Sequence, residues 1–311
     1  MHSSSRRNFI KTGAGLMGLA ISGTSFDLLK KKPLLSFSTL GCPKWSFPAI
    51  IDCAVQNGYD GIEIRGIMGQ VDLTKCPEFS SKENTSATRK IAEDKNITIA
   101  GLGASAELHH MDAAVRQRNM DGAKRFIDLA HQLNCPYVRV FPNRLPKEQE
   151  RNATIDLISK GLFELGDYAR QSNVSVLLES HGDVVETAVL KKIMESAAHP
   201  HTGLVWDVFN MWSVTKEPPS QVYPQLKKYI MHTHIKDGKL IDGKIQYVLL
   251  GKGECPVFEA IDLLYKDNYT GYYSFEWEKL WHPEIEEPEL AIPDYARMMK
   301  EHFKSVVSRL N

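Results

Sequence analysis

Short apolar runs alternate with longer amphipathic segments along almost the whole chain, and this alternation limits the possible folds more than any other feature. Most of the short runs lack a polar–apolar alternation, which is typical of strands buried on both faces. Eight runs rich in Val, Ile, Leu, Phe and Tyr are predicted to be strands, at residues 35–40, 61–65, 97–103, 137–141, 174–179, 203–207, 230–235 and 271–276.

The segments between the predicted strands have helical spacing. Apolar residues recur three or four positions apart at Met120, Ala123 and Ile127, and residues 288–310 show a similar period. Strands that alternate with helices at this rate predict parallel βαβ units. Because a TIM barrel takes about 250 residues, we predict that residues 31–311 form a single α/β domain, a (β/α)8 TIM barrel.

Two loops refine this prediction. The turn after the first strand, residues 41–45, lacks the G-x-G-x-x-G pattern of a dinucleotide-binding fold. Residues 237–253, after the seventh strand, contain four glycines and exceed an ordinary βα loop of about 2–6 residues. Long loops on the catalytic face tend to shape a substrate pocket, so we expect that role for this insertion.

The first 30 residues are predicted to be an export signal and a short linker. Arg6 and Arg7 precede a hydrophobic residue and a lysine, and a weakly apolar stretch rich in Gly and Ala continues to about residue 23. The stretch is too short for a typical membrane span, and the order of its regions is that of a twin-arginine signal peptide. We expect the twin-arginine export machinery as a partner, no stable membrane span after cleavage, and a periplasmic protein.

Charge and cysteine content argue against several classes of protein. Lys plus Arg and Asp plus Glu both number 38, so the basic excess of a typical nucleic-acid-binding protein is missing, and we expect no nucleic acid as partner. The five cysteines are scattered, without a C-x-x-C pair, which predicts small buried thiols rather than a disulfide framework or thiolate metal site. The oligomeric state is left open, a homo-oligomer included.

Four consecutive predicted strands end in residues that can bind a metal. These residues are Glu179, Asp207, His234 and Glu276. Because the carboxyl ends of barrel strands form the active site, the four side chains are expected to point into one mouth. Three carboxylates would repel each other there without a cation. Together with an imidazole they suit one divalent ion of Mn, Mg, Co or Zn, with Mn slightly favoured.

Several motifs resemble those of the xylose-isomerase-like sugar isomerase/epimerase superfamily, and the resemblance covers essentially the whole chain after the predicted signal. The motifs are GYDGIEIRG at 58–66, LESHG at 178–182, WD at 206–207, HIKD at 234–237 and FEWEK at 275–279. The resemblance implies that the four strand-end residues are the metal ligands. It also implies that Glu179 and Glu276 are the catalytic acid and base, on opposite faces of the substrate.

One position departs from the family pattern. Many members have His three residues after the ligand Asp, where this chain has Asn210. An amide can hydrogen-bond a substrate hydroxyl but does not transfer protons as an imidazole does. We therefore expect Asn210 to bind substrate and not to shuttle protons.

Other polar and aromatic residues near the strand ends are candidates for sugar binding, because aromatic rings beside polar groups commonly contact sugars. The complete set of substrate-binding candidates is His181, Asn210, Lys236, Glu63, Arg65, Trp45, Lys279, Trp281 and His282.

Structural roles are the alternative for several of these candidates. His181 could hydrogen-bond a metal ligand instead of the substrate, and a tryptophan could simply pack at the barrel rim. Glu63 and Arg65 could form an ion pair across that rim, and Lys236 could pair with its neighbour in sequence. His232 is expected to be a hydrogen-bonded core residue, and the histidine pair at 109–110 is not expected to bind metal.

The chemistry implied is proton transfer next to a carbonyl group. A metal on adjacent carbonyl and hydroxyl oxygens makes the α proton more acidic and stabilises the enediolate, and a carboxylate removes that proton. Return of the proton to the other face gives epimerisation, and return to the neighbouring carbon gives isomerisation. Loss of a β leaving group would instead open a 3-keto-glycoside.

The leading hypothesis is therefore a metal-dependent sugar isomerase or epimerase. The alternatives are a 3-keto-glycoside lyase or hydrolase on the same metal site, a non-catalytic periplasmic sugar-binding protein, and, more remotely, an endonuclease-like barrel. No phosphate cup of clustered glycines is evident at the seventh and eighth loops. The expected substrate is an unphosphorylated sugar, polyol or glycoside.

Overall fold

The computed structural model describes residues 32–310, and eight parallel strands of this part of the chain close into a barrel. Two further strands form an antiparallel hairpin. The ten strands are β1 (Leu34–Ser38), β2 (Gly61–Ile64), β3 (Thr98–Glu107), β4 (Tyr137–Phe141), β5 (Ser175–Glu179), β6 (Thr202–Asp207), β7 (Ile230–Ile235), β8 (Asp237–Ile241), β9 (Lys244–Val248) and β10 (Tyr272–Phe275).

The barrel order is β1-β10-β7-β6-β5-β4-β3-β2, with β8 and β9 outside it. The predicted (β/α)8 TIM barrel is therefore confirmed. The helices in the described part of the chain are α1 (Phe47–Gln56), α2 (Lys82–Glu93), α3 (Ala113–Gln132), α4 (Arg151–Ala169), α5 (Thr187–Ser196), α6 (Val208–Thr215), α7 (Pro219–Leu226), α8 (Val257–Lys266) and α9 (Pro288–Leu310).

Strand β3 is longer than predicted, by four residues at its carboxyl end. Its second half contains Gly103 and two alanines, residue types with little intrinsic preference for strands. The small residues have a packing reason, because a Cβ at Gly103 would lie 2.7 Å from the Arg65 Cδ and 2.9 Å from the Arg139 Nη2. Two arginines thus occupy the space beside this strand inside the barrel.

The insertion after β7 is the β8–β9 hairpin and the loop that follows it. The carboxylate of Asp237 is buried and accepts hydrogen bonds from the backbone N–H groups of Gly238, Gly251 and Gly253, each at 2.9 Å. Both ends of the insertion are thereby tied to one side chain. Asp237 holds the loop in place and does not pair with Lys236. The alternative prediction for Lys236, an ion pair with Asp237, is therefore wrong.

The predicted twin-arginine segment, residues 1–30, lies outside the described residues. Within residues 32–310, no helix combines the length and the apolar character that crossing a bilayer requires. All five cysteines are free thiols, and four of them are buried. This agrees with the small buried thiols predicted from their scattered positions in the sequence.

Gly253→Ala is expected to destabilise the fold. A Cβ at this position would overlap the Asp237 carboxylate and displace a partly buried, charge-assisted hydrogen bond, which costs about 1–3 kcal/mol. Urea denaturation followed by circular dichroism measures the loss. Gly122→Ala on α3 is the matched control, because its Cβ would meet only a flexible arginine side chain at 3.8 Å. Equal stability of the two variants would contradict the anchoring role of Asp237.

Candidate metal centre

The four strand-end residues converge at the carboxyl-terminal mouth of the barrel. Glu179 ends β5, Asp207 ends β6, His234 lies in β7, and Glu276 directly follows β10. The strand register pairs Asp207 directly with His234. Glu179 pairs with Val205, two residues before Asp207, and His234 pairs with Ser274, two residues before Glu276. All four are buried, and one ligand atom from each lies within 4.8 Å of the others.

The imidazole of His234 lies at the middle of this group. Its Nδ1 is 3.3 Å from the Glu179 Oε1, 3.2 Å from the Glu276 Oε1 and 4.0 Å from the Asp207 Oδ2. Burial opposes a charge on this imidazole, but the surrounding carboxylates outweigh burial and raise the pKa of His234 well above its usual value. Without a metal, the carboxylates therefore favour the protonated form of this imidazole.

Glu63 fixes the orientation of that imidazole from inside the barrel. Its Oε2 accepts hydrogen bonds from the Nε2 of His234 at 2.9 Å and from the Nε2 of His232 at 3.0 Å. Burial alone would raise the pKa of Glu63, but the two imidazoles outweigh it and lower that pKa. Nδ1 of His234 is thus turned toward the carboxylates, as in the carboxylate–histidine pairs that support metal sites.

Lys236 is the second buried cation of the mouth. Its Nζ lies 2.7 Å from the Asp207 Oδ2, 2.5 Å from the Glu276 Oε2 and 2.7 Å from the Glu278 Oε1. Burial lowers the pKa of Lys236, yet the three carboxylates outweigh burial and raise that pKa well above its usual value. These carboxylates therefore favour the charged ammonium form of Lys236.

Arg139 is a buried cation that the sequence reasoning did not identify. It lies within β4, its Nε is 3.0 Å from the Glu179 Oε2, and its guanidinium packs over the Phe141 ring at 3.8 Å. The available signal was an arginine inside an otherwise apolar strand. Such a residue must find a partner, because an unpaired buried charge is costly.

The three carboxylates differ in their affinity for protons. Burial raises the pKa of Asp207 to about 7, with Glu276 and Glu179 adding to the effect against Lys236. Burial also acts on the two glutamates, but nearby cations outweigh it, so the pKa of Glu179 is lowered and that of Glu276 lies well below the usual range. Both glutamates are therefore deprotonated and able to accept a proton near neutral pH.

This donor set fits a divalent cation. Three carboxylate oxygens and one imidazole nitrogen converge in a buried site, and such ligands suit Mn, Mg, Co or Zn. Glu179, Asp207, His234 and Glu276 could each supply one ligand atom. Binding would require His234 and Asp207 to lose their protons, since metal ligands bind in the deprotonated form.

A family comparison agrees with this geometry. Residues 51–302 match the xylose isomerase-like TIM barrel family. The chain belongs to this family.

Similar members and structures include two epimerases and a dehydratase. Fructoselysine 3-epimerase of Shigella flexneri is 22% identical over 264 residues, covering 82% of this chain and 91% of that protein. The 3-dehydroshikimate dehydratase of Bacillus anthracis is 24% identical over 252 residues, covering 75% and 85%. The crystal structure of 3-keto-D-glucoside 4-epimerase from E. coli has a TM-score of 0.68 at 15% identity, covering 88% and 100%, which shows a shared fold.

His181 and Asn210 lie beside the centre of this xylose isomerase-like barrel. The Nδ1 of His181 is 2.7 Å from the Asn143 Oδ1, and burial lowers the pKa of His181. The backbone N–H of Asn210 donates to the Asp207 Oδ1 at 2.8 Å, so Asp207 also caps α6. The Asn210 amide donates to the Ser180 carbonyl at 3.4 Å.

Four other predicted substrate-binding residues are distributed over the loops at the mouth. Lys279 donates to the carbonyls of residues 283 and 285 and to Glu287, so its charge already has partners. Trp45 donates to Glu289 and, with Lys279, lines a cavity of about 420 Å³. Trp281 is 54% exposed, and His282 is half-buried.

Two further residues, Arg65 and Tyr247, differ from what the sequence indicated. Arg65 is buried and donates to the Ser105 hydroxyl at 3.0 Å. Tyr247 on β9 was not identified from the sequence. Its ring packs against Phe209 and His282, and the Lys236 Nζ lies 5.9 Å from its centre. The hairpin therefore brings an aromatic ring to the mouth, which a local sequence pattern does not reveal.

Glu63→Gln is expected to weaken metal binding by about 10–100-fold, the usual effect of removing a carboxylate that orients a ligand imidazole. The substitution keeps the size of the side chain but removes the charge that holds two imidazoles. Isothermal titration of the metal-free chain with Mn²⁺ measures the change. Glu83→Gln, at a fully exposed glutamate of α2, is the matched control. Equal Mn²⁺ affinity in both variants would contradict the orienting role of Glu63.

Proposed function

We propose that this chain is a divalent-metal-dependent sugar isomerase or epimerase that acts by proton abstraction α to a carbonyl group. The proposal rests on the family, on its epimerase relatives and on the paired glutamates of the centre. Glu179 and Glu276 are the proposed acid and base. One metal ion is proposed to be bound by Glu179 and Glu276 together with Asp207 and His234. Mn²⁺ is the first ion to test.

One observation carries the proposal. Glu179 and Glu276 each direct Oε1 toward the central His234 nitrogen, at 3.3 and 3.2 Å, while each Oε2 faces its own cation. The Arg139 Nε lies 3.0 Å from the Glu179 Oε2, and the Lys236 Nζ lies 2.5 Å from the Glu276 Oε2. Two separately supported bases thus approach one point from different strands, which sugar binding alone does not require.

The residues have distinct parts in the proposed reaction. A bound divalent ion supplies Lewis-acid stabilisation of the negative charge that develops on the substrate oxygens. One glutamate, as the carboxylate, removes the proton α to the carbonyl and leaves an enediolate. The other glutamate takes up a proton from solvent and delivers it to the opposite face, which completes epimerisation, and the first glutamate then releases its proton to solvent. Lys236 and Arg139 hold the two carboxylates in place, and His181 and Asn210 are proposed to contact substrate hydroxyls.

Elimination is the second candidate reaction. The dehydratase relative favours it, because loss of water next to a carbonyl also begins with removal of an α proton. A leaving group β to the carbanion would then depart instead of the proton returning. On this alternative the substrate is a 3-keto-glycoside, and the same two glutamates act as base and as acid for the leaving group.

Deuterium exchange tests the proposed acid and base. The Mn²⁺-loaded chain is incubated in heavy water with unphosphorylated ketoses and with 3-keto-glycosides, and nuclear magnetic resonance locates the deuterium. Epimerisation is expected to introduce deuterium at the α carbon. Glu179→Gln and Glu276→Gln are each expected to lower epimerisation by about 10²–10⁴-fold. Each variant should still exchange the epimer that faces its remaining glutamate.

Controls separate lost chemistry from lost metal. Elemental analysis reports the Mn²⁺ content of each variant, and Glu83→Gln should behave as wild type. Release of an aglycone without epimerised ketose would replace the leading proposal by elimination. Absence of exchange from every substrate, with Mn²⁺ bound, would refute proton-transfer chemistry and favour a sugar-binding protein.

We also propose that the chain reaches the periplasm by the twin-arginine route. The support is the sequence around Arg6 and Arg7 and the apolar stretch that follows. The full-length chain, expressed in a bacterium with this export machinery, is expected in the periplasmic fraction. Arg6→Lys combined with Arg7→Lys should retain it in the cytoplasm. The same distribution of both proteins between the fractions would show that this signal is not used.

A further inference from the structure

A second group of metal-ligating side chains lies at the end of β3 and shares no residue with the centre described above. It consists of Glu107, the last residue of β3, and the two histidines that follow, His109 and His110. One oxygen and two ring nitrogens of this group lie within 4.8 Å of one another.

His109 has a ring nitrogen without a hydrogen-bond partner. The residue is 6% exposed, and its Nδ1 is buried and makes no hydrogen bond. A buried ring nitrogen without a hydrogen-bond partner is uncommon. In the neutral tautomer protonated at Nε2, the His109 Nδ1 offers its lone pair to a metal ion.

Glu107 is oriented to face both imidazoles. Its Oε1 accepts a hydrogen bond from the Asn143 amide at 2.5 Å, which leaves Oε2 free to turn toward the histidines. Oε2 lies 3.1 Å from the His110 Nε2 and 3.7 Å from the His109 Nδ1. Ligands bound at about 2.0–2.2 Å from one Zn²⁺ lie roughly 3–4 Å apart, so these spacings fit a shared ion.

We propose that Glu107, His109 and His110 bind a second divalent cation of the Zn²⁺ type. Two imidazoles and one carboxylate form a donor set found in zinc sites that keep an open coordination position. The side chains of Glu107 and His110 are 32% and 30% exposed, so water can occupy the remaining position and the ion can enter from solvent.

A plain hydrogen bond between Glu107 and His110 does not explain the whole arrangement. That bond uses only the outer imidazole and leaves the buried His109 nitrogen without a partner. A shared ion satisfies His109, His110 and the Glu107 Oε2 together.

The second site is connected to the first one by hydrogen bonds. The amide of Asn143 donates to the Glu107 Oε1, and its carbonyl oxygen lies 2.7 Å from the His181 Nδ1. His181 follows the metal-ligand candidate Glu179 by two residues. An ion that fixes Glu107 would therefore also fix the orientation of His181.

Cobalt titration tests the second site independently of activity. The metal-free full-length chain is titrated with Co²⁺, which gives strong visible absorption in a tetrahedral site, and bound Zn²⁺ is measured by elemental analysis after dialysis. Wild type is expected to bind two equivalents. His110→Ala and Glu107→Gln are expected to bind one equivalent and to lose the tetrahedral absorption. His131→Ala, at an exposed histidine of α3, is the control and should keep both.

The variants make the result decisive. His109→Ala removes a buried ring and could impair folding, so the test relies on the partly exposed His110. Circular dichroism checks that each variant is folded. Asp207→Asn should weaken binding at the four-residue centre and spare the equivalent that depends on His110. A wild-type chain whose only bound equivalent survives His110→Ala, or a His110→Ala chain that still binds two, would overturn the proposal.

Discussion

The structure depends on how charge is balanced in the mouth of the barrel. Glu179, Asp207 and Glu276 are 1%, 0% and 4% exposed, so water does little to screen their repulsion. Charges of like sign at such spacing in a low-dielectric site cost several kcal/mol. The fold can hold them together only with cations among them, and His234 and Lys236 are two that the chain itself supplies.

Strand β7 and Lys236, the residue that directly follows it, place these cations in layers. Side chains two residues apart in a strand point to the same face, so His232, His234 and Lys236 follow one another from the barrel interior to its mouth. His232 and His234 both donate to Glu63, His234 faces the proposed ligands, and Lys236 joins three carboxylates. The orientation of the central imidazole, the state of the two glutamates and the shape of the mouth all follow from this order.

Local sequence patterns predicted the parts of the structure that depend on neighbouring residues. The eight strands and the four residues at their ends could be recognised because a buried strand and the polar residue that ends it are adjacent in sequence. The length of β3 could not, because its glycine and alanines are explained only by the arginines that pack beside them. Glu63 was a candidate for substrate binding or for an ion pair with Arg65, but its pairing with His232 and His234 could not be predicted, since these partners lie 169 and 171 residues away.

The sequence also could not predict which side chains become partners across the barrel. Lys279 resembles a free rim cation, but loop carbonyls and Glu287 bind its ammonium group. Asn143 joins Glu107 to His181 only because the carboxyl ends of β3, β4 and β5 lie side by side in the barrel. Which residues carry charge could be predicted from the sequence, whereas which charges meet depended on the closed barrel.

The most direct test of the central claim is an anomalous difference map from crystals of the Mn²⁺-loaded chain, recorded at the manganese absorption edge. A single strong peak is expected at coordination distance from one atom each of Glu179, Asp207, His234 and Glu276. Lys236 should then remain bound to Glu278. A map without a peak there, with Lys236 and a protonated His234 as the only cations between the carboxylates, would contradict the claim.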